Sequence, residues 1–418
     1  MSRRTSTNRL DRRTFLKLSA AGLSSIVINP FRGLAQEAAE AVGPNPVYWV
    51  NDIPDLPFAF AESPNHHAGL ETLLYLMERS RLSFYRSRDL GVLKGPEGLI
   101  AADDIVLIKV NAQWKYRGCT NSDLIRGLVQ RILDHPDGYT GEVVIFENGQ
   151  GRGSLACDTS SSYGGDTTIR ANANDESHSF LYLVNSIFND PRVSAKLMDP
   201  ARSMFLTSSD HVRDGFRKYE NVSYPCFTSV GGRRVELREG LWTGSAHVPK
   251  LKLINVPVLK HHDQGGSEIT ASLKHFYGVL SMSDGNSSLR HYTKLGNTCG
   301  KMVVSVRTPV LNIIDAIWVS QASIKGYPAE TTFRANTLVA SQDPVALDAW
   351  AAKYILYPID GNLRHLPTFP GVSAWLSQAK NLINARGGLY KPAMGIQVGL
   401  VRTSEAMMRV YHGSAGSV

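Results

Sequence analysis

The sequence predicts an α/β fold, a mainly parallel sheet flanked by helices, and three observations lead there. Short apolar runs rich in β-branched residues alternate with stretches of helical periodicity. The stretch 104–147 reads strand, helix, strand, the length of a crossover that joins parallel strands with a right-handed turn. Several runs stop abruptly at charged or amide residues, as strands do where an open sheet edge forms a crevice.

Taken in order, the chain opens with Asp11, Arg12, Arg13, Thr14, Phe15, Leu16 and Lys17, followed by a weakly apolar run from Leu18 to Ile28. A basic segment before a short apolar one is the pattern of a secretory leader, assigned here to residues 1–41. Paired arginines followed by Phe-Leu-Lys resemble the twin-arginine motif, with Asp11 where Ser or Thr is usual. That resemblance implies the twin-arginine export machinery as a partner and a periplasmic or secreted location. Clients of that route often load a cofactor before export. An amphipathic N-terminal helix is the alternative.

Residues 42–100 form an N-terminal extension. Five prolines in 43–65 suggest a linker or edge segment, and Leu70 to Met77 suggests a helix. The core domain spans 101–360. Its first strand is 104–110, which ends near Lys109 and Asn111. Helical spacing from Leu124 to Leu133 leads to a second strand, 142–147, ending at Glu147. Residues 148–178 are polar, with a Gly-rich turn at 149–153 that matches no nucleotide-binding fingerprint. Residues 181–240 read as mixed short elements, an inserted subdomain.

The strand 252–258 then runs into Lys260, His261, His262 and Asp263, a Gly pair at 265–266, and a helix carrying Lys274 and His275. Further strands follow at 311–317 and 337–341. Asp343 and Pro344 have the N-cap and first-turn chemistry of a helix start. The remainder, 361–418, reads as a helical segment with one helix at 371–386.

Composition narrows the function. The chain of 418 residues is 43% hydrophobic and 20% charged, enough for a large core. Its net charge of +8 is inflated by the leader; the remainder holds 38 basic and 34 acidic groups. No long basic run follows, which argues against nucleic acid as a partner. No apolar stretch of spanning length follows either, so the mature protein is expected to have no membrane span. Cys119, Cys157, Cys226 and Cys299 lie 38, 69 and 73 residues apart. Without a CxxC pair there is no iron–sulfur or zinc-ribbon motif, and the cysteines read as buried thiols or up to two disulfides.

Parallel strands would gather Lys109, Asn111, Glu147 and Lys260 at one sheet edge, joined by Lys274 and His262 from the following unit. Three lysines there would attract a small anionic ligand. On this reading His262, Glu147 and Lys274 are catalytic, while Lys109, Asn111, Lys260 and His275 bind ligand. His261 and His262 are the residues to test for a metal, because imidazole binds divalent ions and titrates near neutrality. The cofactor is thus unknown, with a divalent metal or a metal-containing cofactor compatible. Solvated lysines and structural histidines are the plainer alternative. Asp315 and Asp343 rank lower, being explained by a strand end and a helix cap.

Several of these segments resemble the domain-of-unknown-function family 362. They are Ile108-Lys109-Val110-Asn111, the helix led by Thr120, Val258 to His262, Thr270 to Gly278, and Ser341 to Ala349. The family pattern has Pro at the place of Val110 and Thr at that of His261. Some members carry a Cys-rich iron–sulfur segment, which this chain lacks. A more distant likeness links His262, Gly265-Gly266, Lys274 and Gly278 to the lactate racemase family. That family uses a nickel-pincer nucleotide and moves hydride at an α-hydroxy acid carbon. Two functions remain: an exported enzyme acting on a small anionic substrate, or a non-catalytic periplasmic protein that binds an anion or a metal.

If the leader reading is right, replacing Arg12 and Arg13 together by Lys should leave the precursor in the cytoplasm. Fractionation and immunoblotting would show it, and unchanged export would refute the twin-arginine route.

Overall fold

Chain segments with β-branched, fully apolar runs make the centre of the molecule. A computed structural model describes residues 44–58, 64–198, 204–285 and 288–417; the leader expected over 1–41 lies outside them. Ten strands form one sheet: β1 Asn45–Asn51, β2 Ile105–Lys109, β3 Glu142–Asn148, β4 Val193–Met198, β5 Leu251–Asn255, β6 Val258–His261, β7 Ile269–Thr270, β8 Leu311–Ser320, β9 Phe333–Ser341 and β10 Met408–Ser414. Their order is β10-β1-β9-β8-β5-β2-β3-β4, with β6 against β8 and β7 against β6. Six strand pairs are parallel and three antiparallel, so the expected mainly parallel sheet is present.

Helices cover the sheet: α1 Ala68–Arg79, α2 Ser122–Leu133, α3 Ser272–Tyr277, α4 Leu295–Lys301, α5 Pro344–Ala351 and α6 Pro370–Ala385. Their starts follow side-chain chemistry. Asn121 accepts from Leu124 N at 2.9 Å and opens α2. Asp343 accepts from Val345 N at 2.8 Å and Ala346 N at 3.0 Å and opens α5. Asp315 accepts from Asn121 N at 2.7 Å. Asp343 is thus the helix cap expected of it, whereas Asp315 stands in the middle of β8 and not at a strand end.

The structure corrects four expectations. The strand read over 252–258 is two strands, split at Val256 and Pro257. Proline has no N–H to give a ladder, and the chain steps from a place between β2 and β8 to one between β8 and β7. That step carries Lys260 past the end of β5. Residues 45–51, inside the stretch read as a linker or edge segment, form β1, which is paired on both sides. The strand read over 337–341 starts at Phe333 and runs antiparallel to its neighbours. The helical segment 361–418 also contains β10, the edge strand beside β1. Within 181–240, β4 joins the central sheet, and a separate five-stranded antiparallel sheet follows within 215–248.

All four cysteines are buried free thiols. Among the described residues, no helix is long and apolar enough to cross a membrane.

The helix that carries Lys274 hangs on one buried acid. Asp348 of α5 accepts from Ser272 N at 2.8 Å and Leu273 N at 3.0 Å, and from the Ser272 hydroxyl. Burial pushes its carboxyl up to about 7 against these donors. Asp348→Ala should therefore cost about 3 kcal/mol, since it strands three buried donors. Chemical denaturation measures this; a loss under about 1 kcal/mol would show that the cap is dispensable.

Candidate functional site

Parallel strands of β2 and β3, in register at Lys109 and Phe146, bring Lys109 and Glu147 to one edge. Lys109 Nζ donates to Glu147 Oε1 at 2.6 Å and to Val110 O at 2.9 Å, and lies 3.2 Å from His275 Nε2. His275 Nδ1 lies 2.8 Å from Asn255 Oδ1. The Asn255 amide nitrogen donates to Ser272 O and Asn312 Oδ1, which leaves its oxygen to accept from Nδ1–H. His275 Nε2 therefore carries the lone pair that faces Lys109. Burial, then the Lys109 charge, hold His275 well below its ordinary value, so it is neutral.

An ammonium has three donors, and those of Lys109 all have protein acceptors. Glu147 is equally committed: Oε1 also accepts from Asn148 N at 2.7 Å, and Oε2 from Ala112 N at 2.8 Å. Both residues line the cavity, but their bonding makes them positioning groups. The expectation that Lys109 binds ligand and Glu147 is a free acid–base group meets this geometry as an obstacle.

Lys260 and Lys274 are different. Lys260, 2% exposed, donates to Gly118 O at 2.7 Å. A Cβ on Gly118 would stand 2.3 Å from Lys325 O, so this close approach requires glycine. Lys274, 6% exposed, has its Nζ 3.2 Å from both ring nitrogens of His291 and 4.5 Å from the centre of the Tyr277 ring. Among the described residues neither lysine has a carboxylate within ion-pair distance. Burial pushes both amines down to about 7.

The two lysines face one cavity of about 220 Å³ that also exposes Asn111, Asn148, His262, Thr270 and His275. Asn111 Oδ1, Asn148 Oδ1 and Thr270 Oγ1 are buried there with no hydrogen-bond partner among the described residues. Thus Lys109, Asn111, Glu147, Lys260, His262, Lys274 and His275 share one cavity. His261 does not, because successive strand residues alternate faces. Its Nδ1 lies 2.9 Å from His365 Nε2, away from the lysines. The sequence reading missed Trp114, Arg152, Tyr277 and His291 as wall residues. Arg152 lies in the Gly-rich turn and His291 in the polar stretch 283–299, so a signal existed for both.

The geometry corrects the metal expectation. His261 and His262 cannot hold one ion together. His262, Asp263 and His291 do offer three donor atoms within 4.8 Å. However, Lys274 Nζ already stands against both nitrogens of His291, and an added cation would meet that ammonium.

Lys274→Met should leave the unliganded protein as stable or raise its stability by about 1–4 kcal/mol, because it removes a buried, unpaired cation. Glu147→Gln should instead cost about 3–5 kcal/mol by orphaning Lys109. Urea denaturation of both variants at pH 7 tests the contrast, and equal effects would refute this division of the lysines.

No curated protein and no solved structure matches the chain. A family model does match, over a stretch that includes Lys260, His262, Lys274 and His275 but stops short of Lys109, Asn111 and Glu147. Residues 232–353 match the family described as a domain of unknown function (DUF362).

Proposed function

We propose that the protein is an exported enzyme acting on a small anionic substrate held between Lys260 and Lys274. One observation carries the reading: two buried lysines, unpaired by any described carboxylate, face a small cavity in which three other buried polar atoms also lack partners among the described residues. A buried unpaired cation is costly, and an anionic group of the substrate offsets that cost. Asn111 Oδ1 and Asn148 Oδ1 need donors, and the Thr270 hydroxyl can donate or accept, so the substrate class carries hydroxyl or amino groups beside its carboxylate or phosphate.

Catalysis is favoured over binding alone by the protonation of these amines. A binder gains most from lysines that stay charged. Amines held near 7 exchange protons at physiological pH, the property a general acid or base requires. His262 is the third participant, its ring kept neutral by burial and by the charge of Lys274. Arg12 and Arg13, outside the described residues, support the exported part of the proposal.

The binding half is read with sulfate, whose charge is constant between pH 6 and 9. Sulfate binds the charged lysines, and their amines titrate near 7 instead of near 10.5. Affinity should therefore fall as pH rises through 7, by up to about tenfold per unit for each lysine. Calorimetry across that range checks this, and affinity that is flat or rises with pH overturns it. Turnover is sought by nuclear magnetic resonance on a panel of small hydroxy- and amino-carboxylates and sugar phosphates. Binding that survives Lys260→Met with Lys274→Met would place the anion elsewhere.

A further inference from the structure

We infer that His211, Glu236 and His247 form a binding site for a divalent transition metal, with zinc the best fit to the donors, on the small antiparallel sheet and apart from the lysine cavity. Three different segments supply it. Glu236 ends the strand Arg234–Glu236, and His247 opens the strand His247–Val248. His211 comes from the turn before the strand Gly215–Tyr219. Glu236 Oε1 lies 2.8 Å from His211 Nδ1 and 3.2 Å from His247 Nε2, and the three donor atoms all fall within 4.8 Å. An ion with bonds of about 2.0–2.1 Å in tetrahedral geometry separates its ligand atoms by about 3.3 Å, so these spacings suit one ion without rearrangement of the strands.

Trp242 and Arg217 hold the donors. The Trp242 ring stacks on His211, centroids 4.0 Å apart and planes 9° apart, and lies 4.9 Å from His247. Arg217 Nη1 donates to the other oxygen of Glu236, which fixes the carboxylate and leaves Oε1 turned to the imidazoles. Glu236 is fully buried, whereas the side chains of His211 and His247 are 21% and 22% exposed. An ion here would have a dry floor and one face open to water, as in sites with three protein ligands and a solvent position.

The plainer account is a buried carboxylate held by Arg217 and two imidazoles. It leaves one atom unexplained. His247 Nε2 is shielded from solvent and makes no hydrogen bond among the described residues, its one close polar neighbour being Glu236 Oε1 at 3.2 Å. An imidazole nitrogen aimed at a carboxylate and another imidazole, with no hydrogen bond of its own, is what a metal would complete. Two histidines with a carboxylate favour zinc over magnesium or calcium, which prefer all-oxygen shells. The ion would tie the turn before Gly215 to the strand at His247.

The test uses the untagged full chain, stripped with chelator, and zinc or cobalt(II) as the probe. Calorimetry should give one zinc per chain with micromolar or tighter affinity, and cobalt should give the visible bands of a low-coordinate site. Zinc should raise the melting temperature. His247→Ala and His211→Ala should each weaken zinc at least tenfold and abolish the melting shift, with circular dichroism unchanged. His262→Ala, in the lysine cavity, should bind zinc as the parent does. Failure of the parent to bind zinc, or loss of binding in His262→Ala but not in the other two, overturns the proposal. Should one of the two histidine variants misfold, the other alone decides the outcome.

Discussion

A buried lysine meets a buried glutamate at the carboxyl edge of the sheet, and four chain segments are arranged around that pair. Two unit charges at this separation attract by about 6 kcal/mol at an effective dielectric of 20. Removing both from water costs several kcal/mol per ion, so the pair contributes little net stability. Its consequence is positional. Glu147 accepts from Ala112 N and Asn148 N, which pins the chain leaving β2 to the chain leaving β3. Lys109 reaches Val110 O and the ring of His275, which pins α3 to the same point. Asn255 at the end of β5 then fixes the tautomer of His275. Loosening the pair would shift every wall of the cavity.

The three lysines at this edge therefore divide by their partners. Like charges 4 Å apart repel by about 4 kcal/mol at the same dielectric. Lys109 escapes through Glu147. Lys260 and Lys274 have no such acid, and their amines release protons more readily instead, burial being the main cause. The neighbouring rings contribute no further charge: His262, His275 and His291 are all pushed down, His291 to about 4, with burial foremost. In the unliganded state the cavity is thus less positive than a count of its basic residues implies.

Much of this was legible in one dimension. A parallel strand puts its last residue at a known edge, so Lys109 and Glu147 followed from the positions of apolar runs. The breaks in that legibility have physical causes. Pro257 marks the split of β5 from β6, but the apolar run across it outweighed the signal. The strand β1 includes Pro46 and was hidden among the prolines of 43–65, although its N-terminal partners lie on β10. In turn β10 is an edge strand, half-exposed along most of its length, and so lacks an apolar pattern. The saturation of Lys109 depends on a carbonyl and a ring nitrogen from other segments, and no spacing reports it. His291 reaches the cavity only because the chain folds back after α3.

This partition of protons changes which groups are suited to chemistry. Histidine is the residue whose ordinary pKa favours proton transfer at neutrality, and the sequence draws attention to three of them beside the lysines. Inside the cavity the order is reversed. Burial disfavours every cation, but it acts from different starting points. A histidine that begins near 6.5 is carried out of the useful range, while a lysine that begins near 10.5 is carried into it. His262 and His291 can accept hydrogen bonds and shape the wall, yet they are weak bases there. Lys260 and Lys274 become the groups that hold or release a proton at pH 7. An anion entering between them would raise both amines again, since an opposite charge favours the ammonium form. Substrate binding and proton uptake are then one event, and a reaction that consumes the anionic charge would return the protons to the groups best placed to pass them on.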